Sequence, residues 1–233
     1  MHNLFITGTD TGVGKTWITL GLMARWQSAG LAVNGMKPVA SGSEWKGGQL
    51  RNADAEQIMN RCSSPPSYQQ VNPYAFEPPI APHIAARNEQ VNVELDVLAA
   101  SYNSLADGAD KVIVEGVGGW RVPLADGIQT EDLVRRLDLA VVLVVGLRLG
   151  CINHALLTAE SIVASKLPFA GWLGNAICRD YAEQQATLAY LCSEIPAPFL
   201  GNIPWLGRLE ADAIGAALEI ERLDLARPAR RQA

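Results

Sequence analysis

The run Gly8-Thr9-Asp10-Thr11-Gly12-Val13-Gly14-Lys15-Thr16 brings glycines, an ammonium group and a hydroxyl together in one short segment. Gly12 and Gly14 permit a backbone that turns its amides toward phosphate oxygens, because no Cβ obstructs the approach. Lys15 can neutralise β and γ oxygens, and the Thr16 hydroxyl is a hard oxygen suited to Mg²⁺. The chemistry on offer is the holding of a magnesium triphosphate. The competing reading is a glycine-rich turn that binds nothing, but a strand before Gly8 and a helix after Gly14 are what a phosphate loop requires. The spacing is irregular. Counting back from Gly14, the usual four-residue gap puts the first glycine position at Thr9, and Gly8 lies one residue further off. A second group capable of chemistry is Glu115, which closes the apolar run Val112-Ile113-Val114 and is followed at once by glycine. A carboxylate buried there needs a cation or a hydrogen-bonding partner, and Mg²⁺ meets that need. Lys37 and Asp54 are less telling alone: a lysine beside a proline reads as an exposed charge, and an aspartate in a polar segment reads as a helix N-cap.

These residues must be positioned by an α/β framework. Short apolar runs at Leu4-Phe5-Ile6, Ala32-Val33, Val112 to Val114, Leu139 to Val145, Gly171-Trp172-Leu173 and Phe199-Leu200 are continuous, as in strands buried on both faces of a parallel sheet. Between the first two, Thr16 to Ala29 is a mostly apolar helix, with Gly30 as its left-handed cap. The expectation is a single α/β domain with a P-loop NTPase-like fold, a mainly parallel sheet flanked by helices on both faces. Ligands gather at the carboxyl ends of such strands, so motifs directly after a strand carry the most weight. Residues 41 to 53 and 62 to 82 are rich in Ser, Gly, Pro and Asn and read as long binding loops around a short helix near Asp54 to Asn60.

Composition narrows the class. The 233 residues are 48% apolar with 6% aromatic side chains, enough for one large core. A formal net charge of −5 offers no basic field for nucleic acid or an anionic membrane. No apolar run reaches ~18 residues and no leader pattern opens the chain, so a cytoplasmic location is expected. Cys62, Cys151, Cys178 and Cys192 are scattered and read as reduced, mostly structural thiols. The short basic tail at Arg227, Arg230 and Arg231 reads as a solvated end, with fraying expected after about residue 222.

The variant loop Gly8 to Thr16 resembles the GTxTxVGKT form of dethiobiotin synthetases. Lys37-Pro38-Val39-Ala40-Ser41-Gly42, Glu115-Gly116-Val117-Gly118-Gly119 and Gly150-Cys151-Ile152-Asn153-His154 are similar to that family's KPVxSG, EGAGG and GxxNH segments. Asn72-Pro73-Tyr74, Pro82-His83-Ile84, Ala170-Gly171-Trp172 and Ile203-Pro204-Trp205 match in the same order, so the resemblance runs to about residue 206. It implies a ligase that closes 7,8-diaminopelargonate with CO₂ into dethiobiotin, using ATP as co-substrate and Mg²⁺. On that resemblance Lys37, Lys15, Thr11 and Ser41 are the catalytic set, with Thr11, Lys37 and Ser41 also touching the diamine or its carbamate. Thr16, Asp54 and Glu115 would hold the metal. Gly12, Val13, Gly14, Lys15, Thr16 and Trp17 would cradle the nucleotide, together with Gly116, Val117 and Gly118. Asn175 and Ala176 would meet the adenine on one side and Pro204, Trp205 and Leu206 on the other. Trp205 taken alone reads equally as core, and Ser41 beside Gly42 as a turn residue. Gly150, Cys151, Ile152 and Asn153 would receive the substrate carboxylate at a helix N-terminus, across a homodimer interface. Gly12 departs from relatives that place an acidic residue there.

Two rival readings share the fold. A partition or site-selection ATPase would carry an early loop lysine, as in KGGxGKT, where this chain has Asp10-Thr11-Gly12. An amide-forming synthase of cobalamin assembly would need a glutaminase portion for which the chain is too short.

Overall fold

The computed structural model describes residues 2–207 and 210–226; the Arg208-Leu209 pair and the tail arginines Arg227, Arg230 and Arg231 lie outside the described residues. Six strands, numbered along the chain as β1 (Leu4–Gly8), β2 (Val33–Met36), β3 (Lys111–Glu115), β4 (Ala140–Leu147), β5 (Phe169–Ala176) and β6 (Phe199–Ile203), form one sheet. Their spatial order is β6-β5-β4-β1-β3-β2, and every pairing is parallel. All eight residues of β4 are buried, so both faces of the sheet are covered, as the continuous apolar runs predict. The chain leaves β1 for the edge strand β2, returns through β3 and crosses to β4 on the other side of β1. That reversal opens a crevice above the carboxyl ends of β1, β3 and β4, where open α/β sheets bind ligands.

Helix α1 (Lys15–Ser28) follows β1 after the glycine loop and buries Ile18, Leu22, Met23 and Trp26. Its N-cap is Gly14, with no side chain capping the first turn, so the leading amides remain available to an anion. At its other end Gly30 has φ +84°, with its N–H bonded to the Gln27 carbonyl and that of Leu31 to the Trp26 carbonyl, the 5→2 and 6→1 bonds of a glycine-terminated helix.

The two long loops are more ordered than their composition predicts. Val39–Ser41 pairs in parallel with Tyr74–Phe76, and Glu44–Lys46 with Gln49–Arg51 forms a hairpin. Helix α2 (Ala53–Arg61) matches the expected short helix, and Tyr68–Val71 adds one capped turn. These pieces are three to four residues long or pair with partners distant in sequence, which no local periodicity reveals. Of the tail expected to fray after about residue 222, residues 227–233 lie outside the described residues. A 3₁₀ helix spans Ile220–Ala226 and buries Leu223. Among the described residues no helix is long and apolar enough to cross a membrane.

Candidate active site

The phosphate loop begins where β1 ends, its Thr9 N–H donating to the Val144 carbonyl of β4 at 3.0 Å. Gly14 has φ +90°, and a Cβ there would collide with the Asn175 carboxamide, so only glycine fits. That carboxamide donates from Nδ2 to the Val13 carbonyl at 2.8 Å, tying the loop to the end of β5. Asp10 organises the front of the loop. Its Oδ1 accepts the Thr11 N–H at 2.7 Å, its Oδ2 the Arg148 guanidinium at 2.9 Å, and its carbonyl the Lys15 ammonium at 2.9 Å. Lys15 is buried, and burial, followed by the nearby Lys37 charge, lowers its pKa to about 8.

Sheet register sets the second cluster. Met36 of β2 lies opposite Val114 of β3, so the next residue on each strand, Lys37 and Glu115, emerge side by side. Glu115 is fully buried, and Lys37 Nζ donates to its Oε1 at 2.6 Å, to the Gly116 carbonyl at 3.1 Å and towards Asp54 Oδ2 at 3.5 Å. Lys37 is therefore 4% exposed, not the solvated charge its isolated sequence context suggests. The partner that a buried Glu115 demands is, in the protein alone, this ammonium. Burial pushes the Lys37 pKa down, but the Glu115 and Asp54 carboxylates outweigh it and leave the group above its ordinary value.

Thr16 Oγ1 donates to the same Glu115 Oε1 at 3.0 Å, while Glu115 Oε2 is buried without a partner. Asp54 presents a carboxylate that is 42% exposed. It is not the N-cap of α2; Asn52 fills that role, its Oδ1 accepting the N–H groups of Asp54 and Ala55 at 3.1 and 3.3 Å. Among the described residues no three His, Cys, Asp or Glu side chains converge on one point. The hydroxyl and two carboxylates, one with an unpartnered oxygen, nevertheless suit Mg²⁺, which takes few protein ligands and completes its shell with water and phosphate oxygens.

Both clusters open into a cavity of about 960 Å³. That volume is at the upper end for ligand sites and accommodates a nucleotide beside a second substrate. Thr11, Gly12, Gly14, Lys15, Thr16 and Trp17 line one wall; Lys37, Ser41, Asp54 and Glu115 another. Val117, Gly118, Asn175, Ala176, Trp205 and Leu206 are also on it. Ser41 Oγ has no protein partner. Of the remaining sequence candidates, Val13 and Gly116 contribute through backbone carbonyls from behind the wall, and exposed Pro204 stands off it. Gly150, Cys151, Ile152 and Asn153 do not reach the cavity. They form the N-cap and first turn of the helix Cys151–Ala164, preceded by Leu149, which is 91% exposed. Sequence reasoning missed Asn52 and the apolar wall Pro79-Ile80-Ala81-Pro82. The wall falls in a stretch recognisable as a binding loop, and of its four residues only Pro82 lies in a segment that the family resemblance singles out.

Comparison with known proteins identifies the family. A family model described as an AAA domain matches residues 2–213. The ATP-dependent dethiobiotin synthetase of Pseudomonas paraeruginosa is 47% identical over 226 residues, covering 97% of this chain and 99% of the relative. That of Cellvibrio japonicus is 47% identical over 219 residues, 94% and 96% of the two chains, and that of Aromatoleum aromaticum 44% over 216, 93% and 96%. Among solved structures, the MinC:MinD cell division complex of Aquifex aeolicus aligns with a TM-score of 0.55 at 14% identity, covering 99% of both chains. A ParA family ATPase from Chlorobium tepidum aligns at 0.52 and 15% identity, covering 97% and 99%. At such identities these two likenesses concern the fold alone. With the curated relatives matching along nearly the whole chain, through the phosphate loop, the Lys37 segment and the Glu115 turn, this protein belongs to the ATP-dependent dethiobiotin synthetase family.

Proposed function

We infer that the chain is an ATP-dependent cyclo-ligase that joins CO₂ to 7,8-diaminopelargonate and closes the cyclic urea of dethiobiotin, releasing ADP and phosphate. The observation that carries this reading is the meeting of two buried ammonium groups, Lys15 from the phosphate loop and Lys37 from the end of β2, on one cavity. A partition-type switch would place its extra lysine within the loop, whereas here the second ammonium comes from the end of β2. A second cation fits a reaction that moves negative charge between a carbamate and a γ-phosphoryl group.

In the proposed sequence one amine of the diamine adds to CO₂, forming an N–C bond and releasing a proton. A carbamate oxygen then attacks the γ-phosphorus and the bond to the β-bridging oxygen breaks, giving ADP and a carbamic–phosphoric anhydride. The second amine attacks the carbonyl carbon, phosphate departs with the electron pair, and a second proton is lost. Lys37 stays charged because Glu115 and Asp54 face it, and so stabilises the carbamate and the oxygens of the transferring phosphoryl. Lys15 leaves the Asp10 carbonyl for the β and γ oxygens, while the uncapped amides of α1 receive the phosphates. Thr11 and Ser41 hydroxyls orient the diamine or its carbamate. Thr16, Asp54 and Glu115 would hold Mg²⁺, which would supply charge neutralisation on the triphosphate. Asn175 and Ala176 face Trp205 and Leu206 as the adenine end. Because Asn175 commits an amide hydrogen to Val13, base reading falls to its remaining donor and its oxygen. Gly150 to Asn153 lie off the cavity, which supports a homodimer in which this segment serves the substrate carboxylate across the interface.

Purified protein incubated with Mg-ATP, bicarbonate and 7,8-diaminopelargonate is expected to form dethiobiotin by mass spectrometry, with phosphate release dependent on both co-substrates. Absence of product, with ATP hydrolysis stimulated by DNA or lipid vesicles, would overturn the reading.

A further inference from the structure

We propose that the Tyr68 hydroxyl and the Asn72 carboxamide are positioning residues that hold Lys37 in place relative to helix α2, which carries Asp54. Neither side chain lines the cavity, so neither touches substrate. Both are buried, at 8% and 1% exposure, and they stand four residues apart on one turn of helix.

Together they build a continuous polar relay. The Asn52 N–H donates to Tyr68 Oη at 2.7 Å, and Tyr68 Oη donates to Asn72 Oδ1 at 2.8 Å. Asn72 Nδ2 donates to the Lys37 carbonyl at 2.6 Å and to the Tyr74 carbonyl at 3.2 Å. The Lys37 N–H donates to the Val71 carbonyl at 2.8 Å, so the same turn grips both sides of the lysine's backbone. Asn52 is itself the cap of α2, which makes the relay end where the helix begins.

The reason for such a relay lies in what separates its ends. The segment from Val39 to Arg51 contains an exposed hairpin with Gly47-Gly48 at its tip and provides no stiff covalent route from Lys37 to Asp54. The Lys37–Asp54 contact is 3.5 Å, long for an ion pair, and depends on where α2 starts relative to the end of β2. Three consecutive buried hydrogen bonds fix that offset. Deleting the hydroxyl would leave the Asn52 N–H and Asn72 Oδ1 without partners, a situation that buried polar groups resolve by moving. Displacements near 1 Å in a catalytic array cost up to about 100-fold in rate.

The turnover arm of the test rests on the synthetase reading; the structural arm does not. Tyr68→Phe is expected to lower kcat by about tenfold or more, with the calorimetric Kd for metal-free ATP within about twofold of wild type, since the relay does not touch the phosphate loop. Tyr102→Phe is the control: its hydroxyl accepts from Asn3 Nδ2 at 2.6 Å and is equally buried, far from Lys37 in the hydrogen-bond network, and its kcat is expected to hold. Should Tyr68→Phe fail to fold, Asn72→Leu removes the donor to Lys37 at similar volume without adding a buried charge, and is expected to give the same loss of kcat. Wild-type kcat in a folded Tyr68→Phe, equal losses in both phenylalanine variants, or ATP affinity falling in step with kcat would each overturn the proposal. A crystal structure of the Tyr68→Phe protein decides it without any turnover. Lys37 Nζ and Asp54 drawn apart support the relay, and unmoved side chains refute it even if the wild-type protein makes no dethiobiotin.

Discussion

Lys15 and Lys37 are both buried ammonium groups on one cavity, yet their surroundings push them in opposite directions. Burial and its cationic neighbour bring Lys15 down to about 8, and phosphate binding requires the charged form. Nucleotide therefore stabilises the protonated lysine. Affinity for ATP is full below that value and falls by up to about tenfold per pH unit above it, until the bound-state pKa is reached. Calorimetry at pH about 8.5 in buffers of different ionisation heat should register proton uptake on ATP binding; buffer-independent heats would contradict the assignment. Lys37→Ala has a different signature. Turnover should nearly vanish while ATP binding persists, whereas Lys15→Ala weakens nucleotide binding itself. The lysine deletion also leaves Glu115 buried without its cation, a loss of about 3–5 kcal/mol. Mg²⁺ should raise the melting temperature of Lys37→Ala more than that of wild type, because a metal at Thr16, Asp54 and Glu115 restores the missing positive charge. Equal shifts in both proteins would count against that metal set.

At the scale of elements, the loop between β1 and α1 is shaped by contact with β5 as much as by its own glycines. Gly14→Ala combines a left-handed φ of +90° with a collision against the Asn175 carboxamide. Its ATP affinity should fall by about tenfold or more, since left-handed backbone alone costs roughly 1–2 kcal/mol for an L residue. Adding Asn175→Ala clears the collision but not the dihedral cost, so the double variant should lose less affinity than the sum of the two single losses. Full additivity would mean that φ alone sets the requirement. The order β1-β3-β2 acts similarly on the other cluster, placing Lys37 against Glu115 by register and then leaving α2 to bring Asp54 from the far side.

At the scale of the whole molecule, the single chain holds every proposed nucleotide and metal side chain near one cavity but leaves the Gly150 to Asn153 segment outside it. Arg148, beside that segment, is ion-paired to Asp10 of the phosphate loop at 2.9 Å, so the two regions are mechanically joined within one copy. Exposed Leu149 and Leu157 flank the segment. If a second copy completes the site, proteins carrying Lys37→Ala and Asn153→Ala, each inactive alone, should regain partial turnover when mixed and allowed to exchange subunits. Mixtures as inactive as their components, despite demonstrated exchange, would exclude a shared site.

Local patterns in the sequence were enough to determine the phosphate loop, the six apolar strand runs, helix α1 with its Gly30 cap and the family resemblance. Such features depend on residues within a few positions of one another, where backbone freedom, hydrophobic period and amide geometry act directly. Only the tertiary structure decided that Lys37 is a buried partner of Glu115, that Asn52 and not Asp54 caps α2, and that residues 41–82 form paired strands and a polar relay instead of open loop. Each of those outcomes joins groups distant along the chain. Sheet register and the saturation of buried polar groups select them, and neither constraint exists until the strands have docked.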